Sequence, residues 1–506
     1  DVVHIVRDRM GIKPLFIYVD RHYLFAASEV KALLQHPAIH PALDGQVISD
    51  FLTFGYTMGQ RTVFKNIDLL RPGHRLCYEG RLDSISMSQY WQPSFPERNE
   101  YRSGDINREA KRFLELFQKV VLDHTTGEVP TGVFMSGGID STAIAAILSR
   151  RTNERTKTFS LSFDDPHFDE STYYADIVAD CELDSHIERM TVAAVEELEW
   201  AIHFLEQPQI VTLDTANLRL SAAAHRHSYK VIMAGDGADE LLGGYNHFSA
   251  IELLRDTERQ SLLPPVREKV LAAGLAAVGF PTDFCSAFLS EMRNPDTIRA
   301  RFGTVPPWYM IWKLNNLIKQ PLLRDPWPDT LGPHSIVDTL CQPFQGDLAR
   351  IDDLNKAIYL EIQSRLPNWI LWRSDRISMA NSIEVRVPYL DPRVVDFFAG
   401  LHPSVKSTFL NEKAILRQAF KQLLPERILQ RRKFAFNTPM LWLFDKPITR
   451  VDDLLSETAL RQSGLFNHKS VTALLAEVRM QDQRQLLTHS LKTQTLVGVL
   501  TTQMLY

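Results

Sequence analysis

Short apolar runs separated by turn residues fill the chain up to residue 92. This pattern is typical of β-strands joined by tight connections. Residues 14–19 and 22–26 flank a polar pair and predict a hairpin, and residues 28–34 predict a short capped helix. A turn at 70–74 precedes another strand pair, and the Pro-rich polar stretch at 91–105 has the composition of a linker.

From residue 106 onward the apolar positions follow a helical period and then alternate between strands and helices. The expected strands are 131–135, 157–163, 186–190 and 230–234, and the expected helices are 108–122, 141–152, 169–180, 192–205 and 214–227. This alternation predicts an α/β fold with a doubly wound parallel sheet, whose ligands bind at the carboxyl ends of the strands. Beyond Tyr245 we expect mostly helix, interrupted by a loop at 325–333.

Composition limits the classes of protein to consider. With 506 residues the chain is too long for one core, so we expect two or three domains. Hydrophobic residues make up 44% and charged residues 23%, as in globular proteins, and the net charge of −5 argues against nucleic acid as a partner. The longest apolar run, 270–280, is shorter than the roughly 20 residues that span a bilayer, so we expect no membrane partner.

The cysteines indicate the cellular compartment of the protein, and the first residues indicate whether the sequence begins within a domain. The four cysteines lie far apart in the sequence, which favours isolated thiols in a reducing cytoplasm over a metal site; they are Cys77, Cys181, Cys285 and Cys341. The chain starts at Asp1 and enters an apolar strand-like run at once. We therefore expect a fragment that lacks the first part of its N-terminal domain.

The loop Ser136–Ser141, with the sequence SGGIDS, lies between an apolar strand and an Ala/Ile-rich helix. Glycines at a helix N-terminus form a cradle for anions, because backbone N–H groups point at the ligand and the helix dipole favours negative charge. Asp140 beside a phosphate is explained if it holds Mg²⁺. The segment lacks the Gly-Lys-Ser/Thr of a Walker A loop. A tight turn without a ligand is the alternative for this loop alone.

A second loop, Ala234–Glu240, places three acidic residues among glycines after a predicted strand. Like charges this close oppose folding unless they serve a ligand, although a solvated acidic turn is the alternative. Both loops follow strands of one predicted parallel sheet, so their side chains are expected to share one pocket. Asp140 and Asp239 would then converge on a Mg²⁺ bound to phosphates.

Three further segments carry weaker signals. The strand 157–163 and its acidic continuation would line the adenine side of a nucleotide pocket or form a surface loop. Lys433 lies among aromatic residues, where it would either snorkel at the surface or meet charge developing on a phosphate. Charged residues in an otherwise apolar stretch predict a paired, partly buried network, with structural and substrate-contact roles both open; they are Asp375, Arg376, Glu384 and Arg386.

The first loop resembles the PP-loop of the ATP-pyrophosphatase superfamily, and the five segments in this order resemble the asparagine synthetase family of glutamine-dependent amidotransferase-ligases. Residues 7–15 and 27–33 resemble the distal part of that family's glutaminase domain. The resemblance implies an ATP-pyrophosphatase-type synthetase domain at 106–506 with a helical C-terminal part. It also implies a linker at 93–105 and, at 1–92, the remnant of a class II glutaminase domain, an antiparallel β-sandwich of the N-terminal-nucleophile type.

The resemblance implies a two-step reaction with ATP and Mg²⁺. The aspartate β-carboxylate attacks the α-phosphorus to give β-aspartyl-AMP and pyrophosphate, and ammonia, drawn from glutamine in the intact protein, then gives asparagine and AMP. Lys433 matches the catalytic lysine over the α-phosphate. The positions matching nucleotide contacts are Phe134, Leu161, Ala234 and Gly235, and those matching the pyrophosphate cradle are Ser136, Gly137, Gly138 and Ser141.

Asp236 matches an acidic position that handles the ammonia proton. Glutamate is frequent at this position in asparagine synthetases, whereas related β-lactam-forming cyclases carry tyrosine, so an acid favours ammonia transfer over cyclisation. The family's N-terminal nucleophilic cysteine and its Asn-Gly-Glu stretch have no counterpart here. We therefore expect no glutamine hydrolysis by this chain as given, whereas the intact protein would pass ammonia through an internal tunnel.

Three functions stay open at this point. The chain is an asparagine synthetase, a relative that amidates or cyclises another carboxylate such as a peptide, a glycan or an antibiotic precursor, or an inactive scaffold. The presence of Asp140, Asp239 and Lys433 argues against the scaffold. The resemblance is compatible with a homodimer.

Overall fold

The computed structural model of the chain describes residues 2–80, 84–101, 104–127, 129–151, 155–164, 168–169, 171–190, 197–260, 262–292, 307–324, 350–431, 440–445, 447–480 and 487–506. Within these ranges the strands are β1 (Val2–Val6), β2 (Phe16–Val19), β3 (Leu24–Ala27), β4 (Ile67–Leu69), β5 (His74–Glu79), β6 (Ser84–Gln89), β7 (Thr131–Phe134), β8 (Lys157–Phe163), β9 (Asp184–Met190), β10 (Val231–Met233) and β11 (Glu384–Arg386).

The helices of the same ranges are α1 (Val30–Leu33), α2 (Gly45–Phe54), α3 (Ile106–Asp123), α4 (Ile139–Arg151), α5 (Ser171–Asp180), α6 (Leu198–Leu205), α7 (Leu213–Arg226), α8 (Ala238–Leu242), α9 (Asn246–Arg259), α10 (Pro264–Ala277), α11 (Thr282–Met292), α12 (Pro307–Lys319), α13 (Asp353–Gln363), α14 (Leu371–Met379), α15 (Pro392–Ala399), α16 (Pro403–Lys406), α17 (Ala414–Ala419), α18 (Glu426–Gln430), α19 (Trp442–Asp445), α20 (Thr449–Leu454), α21 (Glu457–Ser463), α22 (His468–Arg479) and α23 (Leu487–Leu505). None of these helices combines the length and apolarity needed to cross a membrane.

The first part of the chain forms two antiparallel three-stranded sheets, with the strand orders β1-β5-β6 and β3-β2-β4. The predicted hairpin is confirmed, because β2 pairs with β3 from Phe16 opposite Ala27 to Val19 opposite Leu24. The strand pair predicted after the turn at 70–74 is confirmed as β5 and β6. Aromatic and branched residues of β2 and α2 bury their side chains between these elements and the later helices.

The predicted helix at 28–34 is confirmed as α1, but its cap comes from a distant part of the chain. Glu29 occupies the N-cap position without a side-chain hydrogen bond to the helix. Instead the buried carboxylate of Glu206 accepts the N–H groups of Val30 at 2.9 Å and Lys31 at 2.6 Å. The same carboxylate accepts a hydrogen bond from Arg376, so one acid joins the first sheet region to α14.

The central sheet has the strand order β11-β10-β7-β8-β9, and all four strand pairings are parallel. The four predicted strands and the predicted helices 108–122, 141–152, 169–180 and 214–227 are confirmed to within two residues at each end. The helix predicted at 192–205 is confirmed from Leu198 onward, since 191–196 lie outside the described residues. The loop predicted at 325–333 also lies outside them.

The sheet order reverses between β7 and β10. From β7 the chain adds β8 and β9 on one side, and β10 and β11 occupy the other side. Loops that leave neighbouring strands in opposite directions open a crevice at the carboxyl ends of those strands. The loop Ser136–Ser141 follows β7 and the loop Ala234–Glu240 follows β10, so both glycine-rich loops border this crevice.

The described part of the region beyond Tyr245 is mostly helical, as predicted, but it also contains the edge strand β11, which the sequence pattern did not predict. The strand has three residues, and Val385 is its one buried member. A segment this short and polar gives no alternation that would identify it in the sequence. It forms because β10 offers an unpaired edge, along which Val231 aligns with Glu384 and Met233 with Arg386.

Replacing Glu206 with Gln is expected to destabilise the protein by about 3 kcal/mol, because the change leaves the buried Arg376 guanidinium without its closest counter-charge. Chemical unfolding followed by circular dichroism measures the difference. The control is Glu457→Gln, whose salt bridge with Arg461 is solvent-exposed and should contribute little. Equal stability of the two variants would contradict a stabilising role for Glu206.

Candidate nucleotide and acceptor site

A cavity of about 320 Å³ opens at the carboxyl ends of β7 and β10. The two glycine-rich loops, α7 and α14 contribute its walls. Nine residues predicted for nucleotide, metal or catalytic roles line it together; they are Phe134, Ser136, Asp140, Ser141, Leu161, Ala234, Gly235, Asp236 and Asp239. The fold therefore brings into one cavity residues that lie a hundred positions apart in the sequence.

The first loop closes on itself through its hydroxyl groups. Gly137 has φ of +70°, a left-handed conformation that favours glycine. The Ser136 N–H donates to the Ser141 hydroxyl at 3.2 Å, and the Gly138 N–H donates to the Ser136 hydroxyl at 3.4 Å. Two backbone N–H groups that were expected to point at a ligand are therefore bonded to hydroxyl groups of the loop itself. A phosphate that enters the loop would accept hydrogen bonds from these two N–H groups in place of the hydroxyl oxygens.

Close approach of the two loops depends on Gly235. A Cβ atom at this position would lie 2.9 Å from the Cβ of Asp140 and 3.1 Å from the backbone nitrogen of Ser141. Real Cβ atoms essentially never make the first of these contacts, so a larger residue would push the loop after β10 away from the start of α4. Glycine here allows Asp239 to reach the neighbourhood of Asp140.

The carboxylates of Asp140 and Asp239 converge on one lysine. The Nζ of Lys413 lies 2.5 Å from Oδ2 of Asp140 and 2.6 Å from Oδ1 of Asp239. All three side chains are nearly buried, so the ammonium offsets a repulsion that water would not screen. Lys413 precedes α17 with φ of +54°. Sequence reasoning missed it, because one lysine in a polar turn carries no pattern.

The donor set fits a divalent cation that arrives with a polyphosphate. Mg²⁺ is commonly held by one or two carboxylates together with substrate phosphates and water. Within the described ranges, no three His, Cys, Asp or Glu side chains cluster as a complete metal site. Asp140 and Asp239 are thus suited to share Mg²⁺ with a nucleotide rather than to hold a resident metal by themselves.

Tyr389 supports the Asp140 side of the site. Its hydroxyl donates to the backbone carbonyl of Asp140 at 3.2 Å. Burial, together with the charges of Asp140 and Asp239, raises the pKa of Tyr389 well above its ordinary value. The tyrosine therefore remains a hydrogen-bond donor at physiological pH and fixes the start of α4 relative to the segment after β11.

Glu240 is a further acidic residue that lines the cavity, together with Tyr245, Arg365 and Trp369. The hydroxyl of Tyr245 donates to the carboxylate of Glu240. Burial, with the neighbouring charge of Asp239, raises the pKa of Glu240 to about 7. The guanidinium of Arg365 lies 4.4 Å from the ring centre of Tyr245 and 4.9 Å from that of Trp369, so it is held between two aromatic faces.

A second cavity, of about 280 Å³, adjoins the first through the shared side chains of Arg365 and Trp369. Its walls include Phe54, Gly55 and Tyr56 at the end of α2. The two cavities together thus extend from the nucleotide loops to the first part of the chain, with one arginine and one tryptophan at their boundary.

Helix α14 contributes polar residues that sequence reasoning did not identify. The Ser374 hydroxyl donates to Oδ2 of Asp236 at 2.7 Å. The Arg373 Nε donates to the buried carboxylate of Asp214 at 2.6 Å, and its guanidinium lies 4.8 Å from the ring centre of Trp369. Burial raises the pKa of Asp214, and Arg373 opposes that shift. The contacts of Ser374 and Arg373 depend on tertiary structure, which their sequence neighbours do not reveal.

The charged residues predicted as one network separate into distinct pairs. Asp375 bonds Lys13 at 2.5 Å and Arg376 bonds Glu206, whereas Glu384 and Arg386 pair with each other at 2.9 Å near the surface. None of these four predicted residues belongs to the described wall of the first cavity. The predicted pairing is therefore confirmed, but the residues form separate pairs and not one network, and the contacts favour the structural alternative.

Lys433 lies outside the described residues. Arg431 is the nearest described residue in the sequence that contacts the site. Its Nη1 donates to the carbonyl of Gly137 at 2.9 Å. The guanidinium of Arg431 also stacks on Tyr173, 4.0 Å from the ring centre. Arg431, the last described residue before this segment, thus contacts the first glycine-rich loop.

Comparison with known proteins identifies two family models along the chain. The model described as asparagine synthase matches residues 112–503, and the model described as a glutamine amidotransferase domain matches residues 1–91. Asparagine synthetase [glutamine-hydrolyzing] 1 of Bacillus subtilis is 27% identical over 500 residues, which cover 95% of this chain and 72% of that protein. Amidase chyE of Penicillium rubens is 27% identical over 506 residues, which cover 91% of this chain and 71% of that protein.

Replacing Lys413 with Met is expected to destabilise the nucleotide-free protein by about 3 kcal/mol, because Asp140 and Asp239 lose the ammonium between them. Added MgCl₂ should raise the melting temperature of this variant more than that of the wild type, since Mg²⁺ can take the place of the lost cation. Thermal unfolding by differential scanning fluorimetry measures both effects.

The matched control is the double variant Lys413→Met with Asp239→Asn, which removes one negative charge together with the lysine. It should recover part of the lost stability and lose the additional response to Mg²⁺. A Lys413→Met protein as stable as the wild type would contradict the proposed electrostatic role of the lysine.

Proposed function

Because the chain belongs to the asparagine synthase family, we propose that it catalyses the ATP-dependent amidation of aspartate to asparagine, with ammonia as the immediate nitrogen donor. The observation that carries this proposal is the convergence of Asp140 and Asp239 on Lys413 beside the SGGIDS loop. A glycine-rich anion cradle with two carboxylates fits a nucleotide whose phosphates bring Mg²⁺.

The nucleotide occupies the part of the cavity between the two glycine-rich loops. The cradle for the phosphates comprises Ser136 and Ser141, which line the cavity, together with Gly137 and Gly138 between them, and the nucleoside contacts comprise Phe134, Leu161, Ala234 and Gly235. Mg²⁺ held by Asp140 and Asp239 would neutralise the departing pyrophosphate. Lys413 adds a buried positive charge on the same side, and Lys433 contributes the cation that meets charge at the α-phosphate.

The first chemical step activates the acceptor. The β-carboxylate of aspartate attacks the α-phosphorus of ATP, the bond between the α-phosphorus and the bridging oxygen breaks, and pyrophosphate leaves. A free carboxylate is a poor acyl donor, whereas the acyl-adenylate has AMP as its leaving group. The chain's contribution to this step is to hold the phosphates in line with the acceptor and to stabilise the charge of the leaving group.

The second step forms the amide. Ammonia attacks the acyl carbon, the bond to AMP breaks, and the nitrogen loses a proton to Asp236. The Ser374 hydroxyl occupies one oxygen of that carboxylate and so orients the carboxylate on the cavity wall. Aspartate has a shorter side chain than glutamate at this position. The hydrogen bond from α14 fixes the direction of its carboxylate.

We propose that residues 1–92 form the glutaminase part, 93–105 the linker and 106–506 the synthetase part. The matches of the two family models to residues 1–91 and 112–503 support this division. The second cavity is suited to carry ammonia between them, since its walls include Phe54–Tyr56 as well as Arg365 and Trp369. Ammonium is the appropriate donor for assays of the chain as given.

Mixing the protein with ATP, Mg²⁺ and ammonium is expected to release pyrophosphate only when aspartate is added. The measurement is a coupled pyrophosphate assay across a panel of carboxylates that includes glutamate, β-alanine, succinate and aromatic acids, with mass spectrometry of the products. Pyrophosphate release with another acid but not with aspartate would identify that acid as the acceptor and contradict the role of aspartate. No release with any acid would contradict the proposed activity.

Asp140→Asn, Asp239→Asn and Lys433→Ala are each expected to lower the rate of pyrophosphate release about 100-fold. The two Asn variants remove carboxylates that would hold Mg²⁺, and Lys433→Ala removes a cation that meets charge at the α-phosphate. The two Asn variants should also require more Mg²⁺ for half-maximal rate, whereas Lys433→Ala should keep the wild-type Mg²⁺ requirement. The control is Asp180→Asn, an exposed substitution at the end of α5. A wild-type rate in any of the three variants would contradict the role assigned to that residue.

A further inference from the structure

Helix α14 has two functional faces. In an α-helix successive residues are rotated by about 100°, so Trp372, Asp375 and Arg376 lie on one side and Arg373 and Ser374 on another. The contacts of the helix divide in the same way. One face borders the cavity, and the other contacts elements that precede residue 30.

The face away from the cavity is bonded to the first part of the chain. The Nζ of Lys13 lies 2.5 Å from Oδ1 of Asp375. The Nη1 of Arg376 donates to the carbonyl of Ser28 at 2.9 Å. The indole of Trp372 meets the ring of Phe16 edge to face, with the ring centres 5.2 Å apart. Three contacts within about one turn of the helix thus attach α14 to the residues matched by the glutamine amidotransferase model.

The face toward the cavity carries Arg373 and Ser374, which both line it. Ser374 bonds the Asp236 carboxylate, and Arg373 bonds the buried Asp214. Ser374 is covalently adjacent to Asp375, so the bond to Lys13 and the bond to Asp236 are joined through one peptide unit. The carboxylate of Asp375 is 10% exposed and the Arg376 side chain 4% exposed, so neither can re-orient without moving the helix.

We propose that Lys13 is a positioning residue for amide formation, which acts through Asp375 and α14 on the Ser374–Asp236 pair. The first part of the chain would then help to set the direction of the Asp236 carboxylate in the cavity, in addition to any supply of ammonia. This inference rests on the proposed function. It places the effect on the ammonia step, at Asp236, and not on the Ser136–Ser141 loop.

Lys13 is the best place to test the coupling, because its side chain is 51% exposed and its replacement leaves no cavity in the core. The test variant is Lys13→Met, which keeps the length of the side chain and removes its charge. Lys13→Arg preserves the cation and should restore function. The matched control is Lys65→Met, at an exposed lysine shortly before β4 whose N–H bonds the carbonyl of Ala42.

We expect Lys13→Met to raise the KM for ammonium roughly threefold to tenfold and to leave the KM for ATP unchanged. Lys13→Arg should behave as the wild type. In combination with Ser374→Ala, Lys13→Met should add little further loss, because both changes act on the same carboxylate. Lys13→Met kinetics equal to those of Lys65→Met, or an equal rise in the KM for ATP, would overturn the proposal.

Hydrogen exchange provides a readout that is independent of turnover. The amides of 371–379 should exchange faster in Lys13→Met than in Lys65→Met, whereas those of α4 should not change. Unchanged exchange at 371–379 would overturn the coupling even in an active enzyme. Faster exchange in a protein that releases no pyrophosphate with any carboxylate would support the attachment of α14 by Lys13, and the failure would then lie with the proposed function.

Discussion

The site depends on a buried ammonium between two carboxylates. Asp140 enters with the loop after β7 and Asp239 with the loop after β10, and Lys413 contacts both at 2.5 and 2.6 Å. Without a cation these two acids would repel each other across a space that water hardly reaches. The same electrostatic requirement that Lys413 meets in the free protein would be met by a metal ion when a polyphosphate is bound.

The order of the strands explains why these carboxylates can meet at all. Because β7 and β10 are neighbours in the sheet, loops separated by about a hundred residues in the sequence begin side by side. Gly235 then removes the side chain that would hold the loops apart. Fold topology determines where the site lies, and a single missing Cβ determines how closely its two halves approach.

Local sequence was sufficient to predict the parallel sheet, most helices of the central region and the two glycine-rich loops, because each depends on neighbouring residues. Lys413, Ser374 and Arg373 could not be found in this way, since their partners lie in distant segments. The same limit applies to β11, which exists because β10 provides an edge. The charged residues near 375–386 were recognised as unusual, but their division into separate pairs follows from tertiary contacts alone.

The capping of α1 by Glu206 has a consequence for the order of assembly. A four-residue helix is far shorter than the length at which isolated helices become stable, and the side chain at its own N-cap provides no bond. Two of its N–H groups are satisfied only after a carboxylate from a segment 175 positions later arrives. During synthesis on the ribosome, the cap of this turn can therefore be completed only after residue 206 has emerged.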